Sequence, residues 1–519
     1  MGMAYLLKDI VLDAAKLPGN WQKRCIEIAA QRTGIASDRI ASAEILSASV
    51  DSRRGTPKLL LTMLLTGEVP ETPVEELAAF TVPPLLLPEN SRLRHPVVIG
   101  TGPAGIFGAL VLAMAGAEPV IIDRGSPVDK RVEDYRRFIC SRELDPESNL
   151  LIGEGGAGTF SDGKLYTGTR DFRAAWVKKI MVECGAPGEI IWQKRAHAGS
   201  DNLAVMAANL RRKIEKAGGK FIFHTNIDDI HTVNGICAGV KSASGEIFDA
   251  PSVLLAPGLG GRELVRKLTG KVQWSRKPFQ IGCRIEHPQE LIDRAMYHMS
   301  RPEALGAAEY HLVSRRHVRH TASFCMCPGG EVVNASAWEK HSITNGMSCF
   351  ARSGKFANSC LIATFAPEES GDLQAVDRMF DGLETRCFAA GGGDYTLPAQ
   401  DAAAFIRRED GLKNRRNSTA VGVIPGRIDE IVPPELYQAL VSGLKDFDSR
   451  IPGFIRQGKF IGVESCVSSP VRFLRDPETL QSSLPGLYCA GEGCGAAGGI
   501  ISAACDGIRC AEKMLQYAG

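Results

Sequence analysis

The sequence carries little net charge, no long apolar run and no C-x-x-C cysteine pair. Lys and Arg number 61 and Asp and Glu number 59, so the formal charge of +2 gives no molecule-wide field that would attract nucleic acid. The longest apolar runs, 59–65 and 106–117, are shorter than the roughly 18 residues of a membrane-spanning helix. We therefore expect no nucleic-acid partner and no transmembrane segment.

The 15 cysteines are odd in number and follow no secretory leader, because Lys8, Asp9 and Asp13 interrupt the only candidate for its apolar core. Both features favour free thiols in a reducing compartment, and we expect a cytoplasmic location. The hydrophobic share of 44% is typical of a globular chain, and 519 residues at roughly 150 per domain indicate about three domains.

The first 90 residues are typical of a small α+β unit. One helix and three strands are predicted there, at 22–33, 5–11, 40–50 and 58–65. A proline-rich connector follows, with Pro70, Pro73, Pro83, Pro84 and Pro88. Because proline ends helices and central strands, we place a domain boundary near Pro88. After Pro96 strands and helices alternate with glycine at the joints, which predicts a parallel sheet covered by helices.

A glycine fingerprint of the G-x-G-x-x-G type begins at Gly100. It lies within a predicted strand–helix–strand unit, at 97–99, 104–115 and 119–122. Gly100 makes the tight turn, Gly102 lets the backbone approach a pyrophosphate, and Gly105 lets the helix pack on the strand. The second strand ends at Asp123, which can accept hydrogen bonds from ribose hydroxyls. The segment predicts a dinucleotide site at a helix N-terminus.

A second glycine segment, near the C-terminus, distinguishes FAD from NAD. A strand predicted over 486–490 runs into Glu492, and a helix predicted over 500–516 follows a glycine pair. An acidic residue at this strand end can hold the ribityl hydroxyls of a flavin, and the helix N-terminus can stabilise negative charge on the reduced ring. Since NAD has no ribityl chain, the pattern favours FAD.

A third glycine cluster occupies 153–163 and is followed by Lys164. The backbone N–H groups of such a loop can approach a flat ligand, and Lys164 can lie near the flavin N1–C2=O edge, where negative charge accumulates on reduction. A strand predicted over 252–256 closes at Gly258 and is a candidate return strand under the cofactor. A second nucleotide site is the alternative, although the acid and helix that should follow it are missing.

Eight longer segments of the chain resemble one flavoprotein family. They are SVDSRR from Ser49, GTGPAGIFGAL from Gly100, GEGGAGTFSDGKL from Gly153, KPFQIGCRIEHPQELID from Lys277, SFCMCPGGEVVNAS from Ser323, ITNGMSCFAR from Ile343, SSPVR from Ser468 and AGEGCGAAGGI from Ala490. Through them nearly the whole chain resembles the FAD-dependent, NAD(FAD)-utilizing dehydrogenases. The substrates of that family are largely unassigned, and it is related to the glutathione-reductase-type FAD fold.

The resemblance implies non-covalent FAD. It implies cofactor contacts at the matching positions Gly100, Gly102, Ala104, Gly105, Asp123, Arg124, Gly156, Asp162, Lys164, Glu492, Gly499 and Ile500. We expect further cofactor contacts at Pro103, Arg131, Gly155, Gly158, Gly163, Leu165, Ile227, Ala256, Gly258, Gly491 and Gly498.

The chain departs from the family pattern in two segments, and alanine positions near the flavin also become cysteine, as at Cys494. Where the family has Gly-His-Ser-Ala-Arg-Asp, this chain has a Pro-Gly-Leu-Gly-Gly-Arg segment ending at Arg262. Where the family has Glu-Thr-Arg-Thr-Ser-Ser-Pro, this chain has Glu-Ser-Cys-Val before Ser468. If the missing His and Arg line the substrate pocket, this chain acts on a different substrate.

Cys325 and Cys327 are candidate reacting groups. On a regular strand they would share a face about 6.6 Å apart, which strains a disulfide between them. Two thiols are too few for a zinc site, and we expect no metal. A buried apolar role is therefore favoured over a redox pair.

The other candidates come from two predicted strands. Arg284 and Glu286 share a face, so an ion pair between them and a contact with substrate both stay open. Glu464 and Cys466 also share a face and can reach the flavin from a second domain. The basic run 315–320 can bind an anionic substrate or a nicotinamide phosphate, although a solvated charge run is favoured. The expected catalytic set is Lys164, Glu464, Cys466, Arg284, Glu286, Cys325 and Cys327.

The expected fold class is α/β, with a Rossmann-like FAD-binding domain, an inserted sheet-rich substrate domain and a small N-terminal α+β domain. The expected boundaries are 1–90 for the N-terminal domain, 91–265 and 455–519 for the two parts of the FAD-binding domain, and 266–454 for the inserted domain.

The expected function is that of an FAD-dependent oxidoreductase that transfers a hydride between flavin N5 and a small organic substrate. One alternative is a monooxygenase that uses NAD(P)H and O2, and another is a non-catalytic flavin-binding scaffold or sensor. Because the sequence has one dinucleotide fingerprint, NAD(P)H stays open as a transient electron donor. An anionic group on the substrate and a homo-oligomer also stay open.

Overall fold

The computed structural model describes residues 4–53, 55–67, 84–85, 87, 92–413 and 415–517. Four connector prolines lie outside these ranges, and so does the domain boundary expected near Pro88. None of the helices within the ranges combines the length and apolarity that a bilayer crossing requires.

The described residues form 22 strands and 13 α-helices. From the N-terminus to residue 268 these are β1 Ala4–Asp13, α1 Cys25–Thr33, β2 Ile40–Asp51, β3 Lys58–Gly67, β4 Val97–Ile99, α2 Pro103–Met114, β5 Val120–Ile122, α3 Val128–Ser141, α4 Arg173–Glu183, α5 Ser200–Lys216, β6 Lys220–Ile222, β7 Ile227–Val233, β8 Ile236–Ser242, β9 Ile247–Asp249, β10 Val253–Leu255 and α6 Arg262–Leu268. From there on they are β11 Trp274–Arg276, β12 Phe279–Pro288, α7 Gln289–Tyr297, β13 Val313–Ser314, β14 Thr321–Cys327, β15 Glu331–Asn334, β16 Thr344–Met347, β17 Phe356–Phe365, α8 Leu373–Ala390, β18 Leu397–Asp401, α9 Ala402–Arg407, β19 Val423–Pro425, α10 Ile428–Ile431, α11 Pro434–Arg450, α12 Phe454–Gln457, β20 Lys459–Glu464, β21 Val471–Phe473, β22 Leu487–Cys489 and α13 Ile500–Tyr517.

The N-terminal unit is a three-stranded antiparallel sheet of order β1-β3-β2 with α1 packed on one face. Side chains alternate across a strand, so every second residue of β3 is buried against the helix: Leu59, Leu61, Met63 and Leu65. The helix expected over 22–33 is α-helical only from Cys25, because Trp21–Arg24 forms a 3-10 turn.

A five-stranded parallel sheet of order β22-β10-β4-β5-β6 confirms the expected α/β class. β10 lies between β4 and β22, so strands near residues 98 and 488 are separated by one strand. α2 and α13 pack on each other beside this sheet, and a Cβ on Gly507 of α13 would lie 1.9 Å from the Ala104 carbonyl oxygen of α2. The sheet therefore joins two segments that are almost 400 residues apart.

A seven-stranded sheet of order β13-β14-β17-β12-β20-β18-β19 forms the second large layer. All of its pairs are antiparallel except β18 with β19. Helices cover it, and the apolar cluster beneath them includes Phe279, Phe405, Phe447 and Phe460. β20 belongs to this sheet, although the expected division assigned every residue from 455 on to the FAD-binding part; the domain boundaries stay a prediction.

Candidate functional site

A cavity of about 900 Å³ lies where the parallel sheet meets the seven-stranded sheet. Residues at or just after the carboxyl ends of four parallel strands line one wall: Ile99, Ile122, Ala256 and Ala490. Gln280 of β12 and Glu464 of β20 line the opposite wall. Ligands of open α/β sheets bind outside the carboxyl ends of the strands, and this volume is at the upper end of the range for ligand pockets. The cavity is therefore the candidate site.

The loop between β4 and α2 presents backbone rather than side chains to the cavity. Gly100 has a φ of 88°, and a Cβ there would lie 2.4 Å from the Ala256 carbonyl oxygen, so both its conformation and its neighbour require glycine. α2 begins at Pro103 with no side-chain cap and no acidic residue in its first turn. Its first N–H groups and the positive end of its dipole are therefore available to an anion.

Gly102 and Gly156 both line the cavity, and their backbones lie close together where the first and third glycine segments meet. A Cβ on Gly102 would lie 4.0 Å from the Gly156 Cα, and a Cβ on Gly156 would lie 3.1 Å from the Gly102 Cα. Gly102 has a φ of −65°, which any residue can adopt. The fold therefore does not need glycine at position 102, whereas close approach of a ligand to the backbone does.

Asp123 lines the cavity but holds the glycine loop with both carboxylate oxygens. Oδ2 accepts hydrogen bonds from the Thr101 backbone N at 2.8 Å and from its Oγ1 at 2.5 Å, and Oδ1 accepts one from the Gly125 N at 2.8 Å. Oδ1 keeps a further lone pair, so Asp123 can also accept from a ligand hydroxyl. The neighbouring Arg124 also lines the cavity, and its guanidinium is tied to Glu147 at 2.5 and 3.0 Å.

Glu492 lines the cavity between β22 and α13 and has a cationic neighbour. Its Oε1 accepts hydrogen bonds from the Lys277 Nζ at 3.4 Å and from the Ser469 N at 3.2 Å. Lys277 itself lines the cavity, although the sequence reasoning did not include it among the site residues. This end of the cavity therefore offers one carboxylate and one ammonium group.

Lys164 lines the cavity and belongs to a buried charge cluster. Its Nζ donates to the Asp162 Oδ2 at 2.6 Å and to the Met326 carbonyl oxygen. Asp162 also accepts two hydrogen bonds from the Arg352 guanidinium, at 2.8 and 2.5 Å. Although burial works in the opposite direction, Lys164 and Arg352 hold the pKa of Asp162 well below its usual range, so Asp162 is ionised.

Cys325 and Cys327 do not share a face, which corrects the expectation of a regular strand. A register shift separates Phe324 from Cys327 in the pairing with β17, and Cys325 has a φ of 43°. This β-bulge turns Cys325 into the cavity, where it is exposed, while Cys327 is buried at the cavity wall. The exposed surface of Cys325 faces the interior of the cavity, where the surrounding protein still desolvates the thiol. This desolvation raises the pKa of Cys325 and of Cys466 to about 12, so both thiols are protonated near neutral pH.

Arg284 pairs with Glu464 and not with Glu286. Its Nε and Nη2 donate to the Glu464 Oε2 at 2.9 and 2.5 Å, and its Nη1 donates to the Cys325 carbonyl oxygen at 3.1 Å and to the Asn358 Oδ1 at 3.0 Å. Arg284 is fully buried behind the cavity wall that Glu464 lines. Burial raises the pKa of Glu464 even though Arg284 works against it.

Glu286 lies away from the cavity, which corrects its place among the expected catalytic residues. Its Oε2 accepts hydrogen bonds from the backbone N and the Oγ of Ser418, and its Oε1 lies 3.9 Å from the Lys459 Nζ. These contacts join β12, β20 and the segment before β19. Glu286 therefore supports the seven-stranded sheet.

Most expected cofactor residues line this cavity. They are Gly100, Gly102, Pro103, Ala104, Asp123, Arg124, Gly156, Gly158, Asp162, Gly163, Lys164, Ile227, Ala256, Gly258, Gly491, Glu492, Gly498, Gly499 and Ile500. Four expected cofactor residues do not line it: Gly105, Arg131, Gly155 and Leu165. Of the expected catalytic residues, Lys164, Cys325, Cys327, Glu464 and Cys466 line it.

Arg131 has a structural position behind the third glycine segment. It is fully buried, and its guanidinium donates to the carbonyl oxygens of Asn149, Glu154 and Gly156. Burial lowers its pKa to about 10, which still leaves it charged at neutral pH. Arg131 therefore fixes the loop from which Gly156 faces the cavity instead of contacting a ligand there.

Besides Lys277, three further site residues were missed by the sequence reasoning. Asn345 and His311 line the cavity, and Arg352 reaches it through Asp162. Asn345 and Arg352 both lie in the segment ITNGMSCFAR, which carried part of the family resemblance but received no role. For Asn345 and Arg352 this resemblance was the only signal in the sequence, because their contacts are with residues far away in the chain.

Comparison with known proteins found a matching family model, curated relatives and similar solved structures. Residues 278–466 match the family described as FAD-dependent protein, C-terminal domain-like. A protein of Clostridium beijerinckii, described as "Uncharacterized protein", is 39% identical over 442 residues, which are 81% of this chain and 81% of that protein. Protein FixC of Salmonella typhimurium is 26% identical over 211 residues, which are 38% of this chain and 44% of FixC. Among solved structures, CtdE in complex with FAD is 10% identical, with a TM-score of 0.34 over 82% of this chain and 84% of that one.

Proposed function

The chain belongs to one family with its Clostridium beijerinckii relative and carries the C-terminal domain of FAD-dependent proteins; on this premise we propose that it is an oxidoreductase that binds FAD without a covalent bond and transfers a hydride between FAD and a small organic substrate. One observation supports the proposal most directly. A single cavity is lined by all three glycine segments and by side chains of the seven-stranded sheet.

The residues that line the cavity fit FAD at its pyrophosphate. Gly102 and Gly156 present backbone without a side chain to the cavity, and the uncapped N-terminus of α2 lies beside them. A dinucleotide needs such close backbone approach, and its negative charge is stabilised by a helix N-terminus. In the proposal, Gly102, Ala104 and Gly156 hold the pyrophosphate.

The two carboxylates at opposite ends of the site fit the hydroxyl groups of FAD. Asp123 would accept from the ribose, and Glu492 would accept from the ribityl chain. Gly499 and Ile500 open α13 next to Glu492, so this helix places a second positive dipole end at the cavity. The glutathione-reductase-type arrangement of the domains is part of this proposal.

FAD, when bound, supplies a group that accepts or donates a hydride at N5. The chain supplies a surrounding of fixed charge: Lys164 contributes a positive charge at the cavity, and Arg284 holds the Glu464 carboxylate in place. The substrate end is lined by Cys325, His311 and Asn345 in addition to Glu464. Protonated thiols and a paired carboxylate make this end weakly polar, which suits a small organic molecule. NAD(P)H is retained in the proposal as a transient electron donor.

The Gly102→Ala variant tests the cofactor site. A Cβ at this position meets no heavy atom closer than 4.0 Å and needs no unusual φ, so the apoprotein should unfold at the wild-type temperature. The methyl group would, however, cover the backbone that lines the cavity beside Gly156, and we expect the FAD affinity to fall at least tenfold. Gly168→Ala is the matched control, because a Cβ there meets nothing within 4 Å. Equal FAD affinity in the two variants would contradict the assignment.

The reaction is tested on the wild-type protein loaded with FAD. Under anaerobic conditions NADH, NADPH and a panel of small metabolites are added in turn, and the flavin absorbance is followed. The proposal expects one of them to bleach the flavin without O2. If the protein takes up no FAD, the proposed cofactor is wrong. If FAD binds but none of these compounds reduces it, the proposed oxidoreductase activity is wrong.

A further inference from the structure

Both ends of the segment 343–352 contribute residues to the candidate site. Asn345 and Gly346 line the cavity, and Arg352 ends the segment on Asp162. Sequence reasoning assigned no role to the segment, and the proposed function does not use Arg352. Arg352 nevertheless lies beside Lys164, because both side chains donate to the Asp162 carboxylate.

Arg352 and Lys164 share one carboxylate. The Arg352 Nε and Nη2 donate to Oδ1 and Oδ2 of Asp162 at 2.8 and 2.5 Å, and the Lys164 Nζ donates to Oδ2 at 2.6 Å. The side chains of Arg352 and Asp162 are 9% and 3% exposed, so the cluster is screened little by water. One negative charge is therefore set against two positive charges.

The neighbouring charged groups do not cancel this excess of positive charge. Glu309 lies 3.8 Å from the Arg352 Nη1, but it also pairs with Arg195 at 3.0 Å. Burial and the nearby Arg352 lower the pKa of His197, so its ring is neutral near pH 7. Counting these groups together with Lys164 leaves one positive charge, and Lys164 is the cation of the cluster that lines the cavity.

The Lys164 ammonium has one N–H to spare. Two of its three donors go to Asp162 and to the Met326 carbonyl oxygen, and no acceptor for the third lies among the described residues. The protein holds Arg352 firmly against Asp162, because a Cβ on Gly329 would lie 1.9 Å from the Arg352 carbonyl oxygen and Arg352 has a φ of 47°. The backbone is thus fixed in an unfavourable conformation at this position.

We propose that Arg352 is a positioning residue: by binding Asp162, it leaves the charge of Lys164 available to the cavity and thereby raises the reduction potential of bound FAD. The inference rests on the proposed function, because it requires FAD in the cavity. Reduction adds negative charge to the flavin ring, and a fixed positive charge in a water-poor site stabilises that charge more than it would in water. Without Arg352, Asp162 would neutralise Lys164 directly.

The test measures the midpoint potential of bound FAD against a reference dye under anaerobic conditions. Arg352→Met removes one positive charge, and we expect the equilibrium between oxidised and reduced FAD to shift at least tenfold toward the oxidised form, which is about 30 mV for a two-electron couple. Asp162→Asn removes the negative charge, and the potential should move in the opposite direction. Arg352→Lys keeps the charge and should restore most of the wild-type value.

Opposite shifts in Arg352→Met and Asp162→Asn support the proposal, because a merely structural role would lower the thermal stability of both variants without separating their potentials. If Asp162→Asn does not fold, the comparison of Arg352→Met with Arg352→Lys decides. An unchanged potential in Arg352→Met with FAD bound overturns the proposal, and so does loss of FAD from both Arg352→Met and Arg352→Gln. A wild-type protein that binds no FAD contradicts the proposed function itself.

Discussion

Replacing Arg284 by methionine should destabilise the seven-stranded sheet more than an ordinary core substitution. Each of the five N–H donors of Arg284 has an acceptor: two go to the Glu464 Oε2, and the others go to the Cys325 carbonyl and to the amide oxygens of Asn345 and Asn358. The side chains of Arg284 and Glu464 are 0% and 5% exposed. Methionine would fill the space of the aliphatic stem but remove the hydrogen bonds that these four acceptor groups receive from Arg284.

Removing one partner of a buried ion pair costs about 3–5 kcal/mol, because the other charge stays buried. For a unit of 150–250 residues this corresponds to a fall of roughly 6–20 °C in unfolding temperature. The effect should depend on pH. Burial already raises the pKa of Glu464 above 4.5, and loss of Arg284 raises it further. The folded variant then binds a proton on Glu464 that the unfolded chain has released, so the contribution of Glu464 to stability is greatest below pH 4.5 and is lost as the pH rises through the folded-state pKa.

Differential scanning calorimetry of the apoprotein at pH 5 and pH 8 provides the measurement. Arg284→Met should unfold at a lower temperature than wild type at both values, with the larger deficit at pH 8. In the double variant with Glu464→Gln the deficit should be smaller than the sum of the two single ones. Arg284→Lys should fall in between, since a lysine has three donors instead of five. A deficit below about 2 °C, or one that is larger at pH 5, would refute the reasoning.

Two further predictions concern stability. Burial lowers the pKa of His287 to about 4 from 6.5, so the unfolded chain takes up a proton first and stability should fall by about 3 kcal/mol as the pH falls from 6.5 to 4. The free energy of unfolding is measured for wild type and for His287→Gln between pH 6.5 and pH 4, and the difference between the two gives the contribution of His287. A difference that does not change with pH would contradict this prediction. Gly507→Ala should cost about 1–3 kcal/mol by overpacking, because its Cβ would lie 1.9 Å from the Ala104 carbonyl oxygen. The unfolding temperature of Gly507→Ala is compared with that of Gly168→Ala. Equal unfolding temperatures would show that α2 and α13 can move apart without loss of stability.

The parts of the fold that sequence could predict are those with a local signal. The helix expected over 104–115 is Pro103–Met114, and the strand expected over 486–490 is Leu487–Cys489. Both follow from apolar runs bounded by glycine, and the parallel arrangement follows from their alternation. The glycine segments likewise predicted where backbone lines the cavity, because the absence of a side chain can be read directly from the sequence.

The residues that escaped prediction depend on contacts between distant segments. Arg352 meets Asp162 across 190 positions, and Arg284 meets Glu464 across 180. Nothing in the neighbourhood of Arg284 shows that its partner is Glu464 and not Glu286, which is two residues away and on the same face of a regular strand. The bulge at Cys325 is equally hidden, since an alternating pattern assumes a regular pleat and one extra residue reverses the faces.

The order of strands in the parallel sheet has a consequence for biosynthesis. β10 is completed near residue 255, but its neighbour β22 begins at residue 487. A ribosome adding roughly 5–20 residues per second needs on the order of 10–50 s to supply the missing strand. For that time the apolar edge Val253–Leu255 has only one partner and can pair with other nascent chains. Folding yield should therefore be sensitive to the rate of translation between these two strands.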